Sequence, residues 1–321
     1  MHNALTMNFI RYTFLKPLWL FTFLFAIIST SCNRGKLIHH DEKKKDTLSF
    51  KPVYGIPFTE VRRRLKNGMS FDDNGFQTEP SYKITFLNND SASVYSPEKK
   101  QFINFYVFME GDSIFNVARS YFKMMQMSKD SLKLQVLEVQ GDTLHMKHSL
   151  VYMTFYSNDY LKNVLKTDAA TLGKPDKQDT LFIKKKAELA DRIPDSAFAA
   201  RIPVTLESRS PRVTVKYLAV KPDVSNNFDD SDGYMNPEFN ITINKAYENF
   251  SYSFWAFIDD KGQMYFDRSI DYIMPEYRES TTKTIKAIMD GYLKYYLIVK
   301  PGNTLGIVHT SAVLLNVVGR K

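Results

Sequence analysis

From Tyr82 to Ser157 the chain is a succession of short segments in which apolar side chains recur at every second position. Alternate residues of an extended chain point to opposite sides, so this pattern buries a face only when the segment lies in a sheet. "YKITFLN" alternates Tyr82, Ile84 and Phe86, "FINFYVFME" is a longer aromatic run, "SLKLQVLEVQ" alternates Leu132, Leu134 and Val136, and "SLVYMTFYS" follows. The breaks between them, "NNDS", "SPEKK", "EGDS", "SKDS" and "QGDT", are turn chemistry. No long helix separates the strands, so neighbours pair antiparallel. The pattern predicts a β-meander or barrel over residues 51–157.

The period lengthens over residues 158–203, where "NDYLKNVLK" and "TLFIKKKAELADRI" read as helices divided by "LGKPDKQD", giving a helical connector. Residues 204–321 return to strands after Pro211 in "ESRSPR", beginning with "VTVKYLAV". In "FSYSFWAFIDDKGQMYFDRS" two strands flank the tight turn Asp259–Gly262. "STTKTIKAIMDGYLKYY" then places Ile285, Ile288, Met289, Tyr292 and Tyr296 on one helical face, with Ser280 as N-cap. "VKPGNTLG" ends that helix and "SAVLLNVVG" is the last strand. The shared core is expected from Phe254 and Ile258, the helix residues, and Leu314 and Val317. The fold class is therefore α+β and mainly β: an N-terminal antiparallel meander or barrel, a helical connector, and a C-terminal domain ending in a β-β-α-β unit. "SAVLLNVVG" holds no charge between Ser311 and Arg320, so it is either an interior strand or an edge open to a partner.

Two resemblances follow from these segments. The order "GDSI…FKMMQMSKDSLKLQVL" resembles bacterial lipocalin-like lipoproteins. The C-terminal hairpin, Ile/Met-rich helix and "PGNTLG" before the final strand resemble the TonB C-terminal domain, although Val299 stands where that family carries an aromatic residue. The second resemblance implies an envelope protein partner added as a strand at the C-terminal sheet edge.

The N-terminus gives an address. Arg11 and Lys16 precede an apolar run from Leu18 to Ile28, which is followed by Ser29, Thr30 and Ser31 and then by Cys32, the only cysteine of the chain. A basic start, a short apolar stretch and small residues form a secretory leader. The run is shorter than the ~20 residues that span a hydrocarbon core. The small residues leading into Cys32 resemble the lipobox of bacterial lipoproteins, with Ser29 where a large aliphatic residue is usual. The resemblance implies a signal peptide over 1–31 and lipidation of Cys32, whose acyl chains would hold the protein on the membrane. It places the chain in the bacterial cell envelope, with the outer membrane as the expected address. Ordinary cleavage after Ser31 and an uncleaved anchor are the alternatives. "NRGKLIHHDEKKKDTLS" is too polar to bury a core, so residues 32–50 read as a tether.

Charge and motifs narrow the function. The formal charge is +8, or +6 without Arg11 and Lys16. Among the basic clusters, "VRRRLK" at Val61–Lys66 suits phosphate groups, yet "FTEVRRRLKNG" also reads as a short helix ending at Gly68. None carries the interleaved aromatics of a single-strand nucleic-acid surface, so no nucleic-acid partner is expected. Cysteine nucleophilic catalysis is excluded, and no Gly-x-Ser-x-Gly or His-Glu-x-x-His occurs. His145 and His148 are three apart on a strand and so face opposite ways, and His309 reads as a hydrogen-bonded histidine at a strand edge. Placing Gly233 sixth in a calcium loop puts Phe228 first and Phe239 twelfth, which fails the oxygen requirement. "SFDDNG" fails too, with Ser70 and Ser81 at those positions. A looser calcium site at Asp229, Asp230 and Asp232 is the one metal candidate; no cofactor and no catalytic residue is assigned. The expectation is a lipid-anchored protein of binding or assembly type, with an envelope glycan or peptide hydrolase using unidentified carboxylates as the alternative.

Overall fold

A computed structural model describes residues 48–140, 143–145, 149–220 and 231–321. Cys32, the leader, His148, Asp229 and Asp230 lie outside the described residues.

The alternating segments form strands β1 (Pro57–Leu65), β2 (Lys83–Phe86), β3 (Ser91–Ser96), β4 (Gln101–Tyr106), β5 (Phe108–Met109), β6 (Ile114–Val117), β7 (Ser120–Met127), β8 (Ser131–Gln140), β9 (Thr143–His145) and β10 (Val151–Ser157). They lie in the order β4-β3-β2-β1-β10-β8-β7-β6-β5, with β9 added to β8. The two ends of that order adjoin in the chain, since only Val107 separates β4 from β5. One extended run therefore pairs with β3 through Gln101–Tyr106 and with β6 through Phe108–Met109, which brings the sheet nearly to closure as a barrel.

The helix expected at "VRRRLK" is strand β1 instead. It pairs with β10 from Phe58↔Ser157 to Leu65↔Val151 and with β2 on its other side. Arginine, leucine and lysine favour helix only weakly, and a place between two strands overrides that preference. A bulge between Glu60 and Arg62 resets the alternation. Phe58, Glu60 and Arg63 stand opposite Ser157, Phe155 and Met153, whereas Arg62 and Arg64 stand opposite Thr154 and Tyr152 on the outer face.

The barrel is filled by side chains. Phe58, Ile84, Phe86, Phe115, Phe122, Leu132, Leu134, Met153 and Phe155 are buried. Phe50, on the border of the expected tether, is fully buried among them. Its ring stacks on Phe86 at 3.9 Å and meets Phe115 edge-on at 5.1 Å. A 3-10 turn at Lys51–Val53 follows, and Asn89 Oδ1 accepts the Phe50 N–H at 2.9 Å. The segment thus works as a plug.

The connector holds α1 (Ala169–Leu172) and α2 (Lys177–Arg192). Asp176 caps α2 by accepting from the N–H groups of Gln178 and Asp179, and Asp179 accepts from the Asp176 N–H in return. Asp179 is buried, accepts the Ser70 N–H at 2.8 Å, and pairs with Arg64 at 2.5 Å. Burial acts to raise its carboxyl, but the Ser70 and Asp176 N–H groups and Arg64 outweigh it, and the pKa is lowered. This ion pair fixes α2 to the barrel wall.

The remaining strands and α-helices are β11 (Thr205–Ser208), β12 (Val213–Tyr217), α3 (Asp232–Met235), β13 (Glu238–Asn244), β14 (Phe250–Ile258), β15 (Met264–Ser269), α4 (Arg278–Ile288), α5 (Lys294–Tyr296), β16 (Leu297–Lys300), β17 (Asn303–Thr304), β18 (Ile307–Val308) and β19 (Ser311–Arg320). The second sheet has the order β12-β13-β19-β14-β15, and its only parallel pair is β13 with β19. The last strand is therefore interior, and the sheet's outer strands are β12 and β15. Asp259–Gly262 turns β14 into β15 as expected, with Gly262 at φ +77°.

Several local expectations change. Val313, Leu315 and Val317 face the core, and Leu314 faces away, because pairing of Phe254 with Leu315 sets the phase of β19. Ser280 does not cap α4: the helix starts at Arg278 after a 3-10 turn, and the Ser280 hydroxyl donates back to the Tyr277 carbonyl. "VKPGNTLG" is more than a helix end, since β16 pairs with β11 and β17 with β18. Ile285, Ile288 and Met289 are buried as expected, joined by Leu293, which a wide turn at Met289–Leu293 rotates inward.

Candidate functional site

The aromatic core ends in a cavity of about 570 Å³ at one end of the barrel. Phe115 packs on Phe122 at 5.6 Å, and Phe122 meets Tyr82 at 5.9 Å. Phe122 and Tyr82 are the end of this ring stack and line the cavity together with Val136, Val151 and Met153. The loop Phe76–Glu79 forms a wall, and Arg201, Ser231 and Tyr234 approach from the C-terminal part.

Charge enters the wall in pairs. The β1 bulge turns Arg63 inward, where it grips Glu60 through Nε–Oε1 at 2.8 Å and Nη2–Oε2 at 2.7 Å. Glu60 also accepts from the N–H groups of Ser81 and Tyr82, both at 2.9 Å, which fixes the loop entering β2. A buried carboxylate is stable only with such a partner set. Arg201 contacts Glu79 Oε1 through Nε at 3.2 Å and Nη2 at 3.0 Å, and its guanidinium lies 4.7 Å from the Tyr234 ring centre. Tyr234 Oη accepts the Gln77 N–H at 3.0 Å. Burial, set against Arg63, pushes the Tyr82 phenol up to about 12, so it stays neutral; its oxygen is buried without a hydrogen bond among the described residues.

The cavity therefore joins a floor of Phe122, Val136, Val151 and Met153 to a rim with two arginines, each donating to one carboxylate. A guanidinium has five N–H donors, so both retain donors beyond those bonds. Its volume is within the range of small-molecule pockets. Gln77, Glu79 and Ser81 are shared with a neighbouring trough of about 590 Å³ that also holds Lys83, Asn158, Lys162 and Asp168.

The metal and histidine candidates singled out from sequence lie elsewhere. Asp232 begins α3 and accepts from Asn236 Nδ2 at 2.5 Å, and among the described residues no cluster of three histidine, cysteine or acidic side chains is placed to hold a metal. His145 lies in β9 opposite Glu138. His309 is fully buried, stacked on Phe198 at 3.8 Å. Its Nδ1 lies 3.1 Å from the Thr310 carbonyl and its Nε2 3.1 Å from Thr304 Oγ1, which also accepts the Arg201 N–H. The carbonyl requires a donor at Nδ1, so Nε2 accepts from Thr304. Burial lowers its pKa against the opposing Thr310 carbonyl and Asp191, keeping the ring neutral. Both nitrogens are thus engaged, and Nε2 supports the Arg201 backbone through Thr304.

Tyr82 and Met153 fall in segments that read from sequence as strands, and Arg63 reads as part of the "VRRRLK" cluster. Only the bulge distinguishes it, and no residue signals that bulge. Among the described residues, no helix is long and apolar enough to cross a membrane. No protein-family model matches the chain, and no curated protein sequence matches it.

Proposed function

We propose that this chain is an exported, lipid-anchored binding protein of the bacterial envelope, with Cys32 as the anchor. The cavity at the barrel mouth takes an amphipathic molecule: an apolar body against Phe122, Val136 and Met153 and an anionic or carbonyl head toward Arg63 and Arg201. The observation that carries this reading is a cavity of about 570 Å³ joining an apolar floor to two arginines with spare donors. The leader before Cys32 supports the address.

The test uses 8-anilinonaphthalene-1-sulfonate, an apolar ring system with one anionic head, on the protein from Asn33 onward. Saturable one-to-one fluorescence enhancement is expected, competed by long-chain carboxylates. Val151→Trp should fill the cavity and weaken binding at least tenfold while leaving cooperative unfolding intact. Absence of saturable binding, or equal binding by the filled variant, overturns the reading.

A further inference from the structure

A second concavity lies on the outside of the barrel. This open groove of about 740 Å³ lies between β1, β8, β10 and the start of α2, lined by Arg62, Arg64, Lys66, Lys133 and Lys177, with Asp176 as the only acid among the described residues. Arg64 is neutralised by Asp179 at 2.5 Å and Asp176 at 3.4 Å. Arg62, Lys66, Lys133 and Lys177 have no carboxylate partner among the described residues. By contrast, Lys283, Lys294 and Lys300 on the C-terminal part are paired, with Glu279, Asp290 and Glu207. Four like charges gathered in one hollow repel each other, and an anion relieves that repulsion.

Strand register sets the geometry. Arg62 stands opposite Thr154, which stands opposite Lys133 across the next strand pair. Arg62 and Lys133 are thus two strand spacings apart, roughly 10 Å between backbones, with Thr154 between them. Both side chains are long enough to lean over that gap. The floor adds the hydroxyls of Thr154 and Tyr152, neither hydrogen-bonded to another described residue. The donors are a guanidinium, three ammonium groups and two hydroxyls, which is the chemistry of phosphate recognition. Arg64 with Asp176 and Asp179 leaves one negative charge against the four cations, a net of about +3, which two phosphate groups of about 1.5 charges each balance near neutral pH. The bulge at Val61 is what sets Arg62 outward, on the side opposite Arg63.

We propose that this groove binds a soluble molecule bearing two phosphate groups, with Arg62, Lys66, Lys133 and Lys177 as its ligands. The hollow shape favours a molecule that enters it over a flat membrane surface.

Calorimetric titration of the protein from Asn33 onward with inorganic pyrophosphate at low ionic strength tests this. One-to-one binding that weakens with added salt is expected. Arg62→Gln and Lys133→Gln should each reduce affinity about tenfold, the loss of a charged hydrogen bond. Both residues are exposed, so the melting temperature should not move. Lys283→Gln in α4 with Lys294→Gln in α5 should leave binding unchanged. No pyrophosphate binding, or equal loss in that control, overturns the proposal. Sedimentation with phosphatidylglycerol vesicles but no pyrophosphate binding also overturns it, and makes the groove a membrane contact.

Discussion

Replacing Phe50 by alanine asks whether the plug is part of the barrel's core or a loose strap over its end. The ring is fully buried, stacked on Phe86 at 3.9 Å and edge-on to Phe115 at 5.1 Å. Burial of a phenylalanine removes at least 150 Å² from water, which at 25 cal/mol per Å² is roughly 4 kcal/mol. Aromatic pairing adds about 0.5–1.5 kcal/mol per pair. Alanine keeps part of this, so truncation should cost about 3–5 kcal/mol, the usual span for a buried phenylalanine. The counter-effect is local release: if residues 48–54 detach as a unit, the cost is capped at the free energy of that detachment. Urea unfolding followed by tyrosine and tryptophan fluorescence measures the difference, with Phe58→Ala, inside β1, as the reference for a residue that cannot detach. A loss below about 1 kcal/mol for Phe50→Ala beside a full loss for Phe58→Ala would refute the plug as core.

Two further outcomes follow from Cys32 and His309. Cells producing the protein should incorporate labelled palmitate into it, and Cys32→Ala should abolish the label; an unlabelled wild type would remove the anchor. His309 has a folded pKa below its ordinary value of about 6.5, so as pH falls the unfolded chain takes up a proton that the folded ring refuses. Stability is thus fully present above about pH 6.5 and declines below it. The melting temperature should fall from pH 7.5 to 5.5 by less in His309→Gln than in the wild type, and equal falls would refute the assignment.

The strands were legible because one-faced burial writes a period of two into the chain. Ile84 and Phe86, Leu132 and Leu134, and the hairpin at Asp259–Gly262 all sit where alternation and turn chemistry put them. β19 shows the limit. Its residues are apolar on both faces, so no alternation distinguishes Leu314 from Leu315, and only the pairing with Phe254 does. β1 failed for a related reason, since three consecutive arginines carry no period. The inner cavity was illegible because it joins Arg63 with the distant Arg201; of the outer groove, "VRRRLK" marked Arg62 and Lys66 as phosphate candidates, but nothing in the sequence joined them to Lys133 and Lys177.

The bulge between Glu60 and Arg62 connects the two concavities. In a regular strand, residues 60, 62 and 64 would share one face, and the buried Glu60 would share the interior with Arg62 and Arg64. Neither arginine would then reach α2 or the groove. The extra residue reverses the phase, giving Glu60 a bidentate partner in Arg63 on the inside and Asp179 a partner in Arg64 on the outside. Both are buried carboxylates, each costly without its arginine. One inserted residue thus satisfies two buried acids, fixes α2 to the barrel, and leaves Arg62, without a carboxylate partner among the described residues, facing the groove. That economy ties the arrangement of both sites to the backbone of a single strand, so neither set of arginines can be repositioned without disturbing the other.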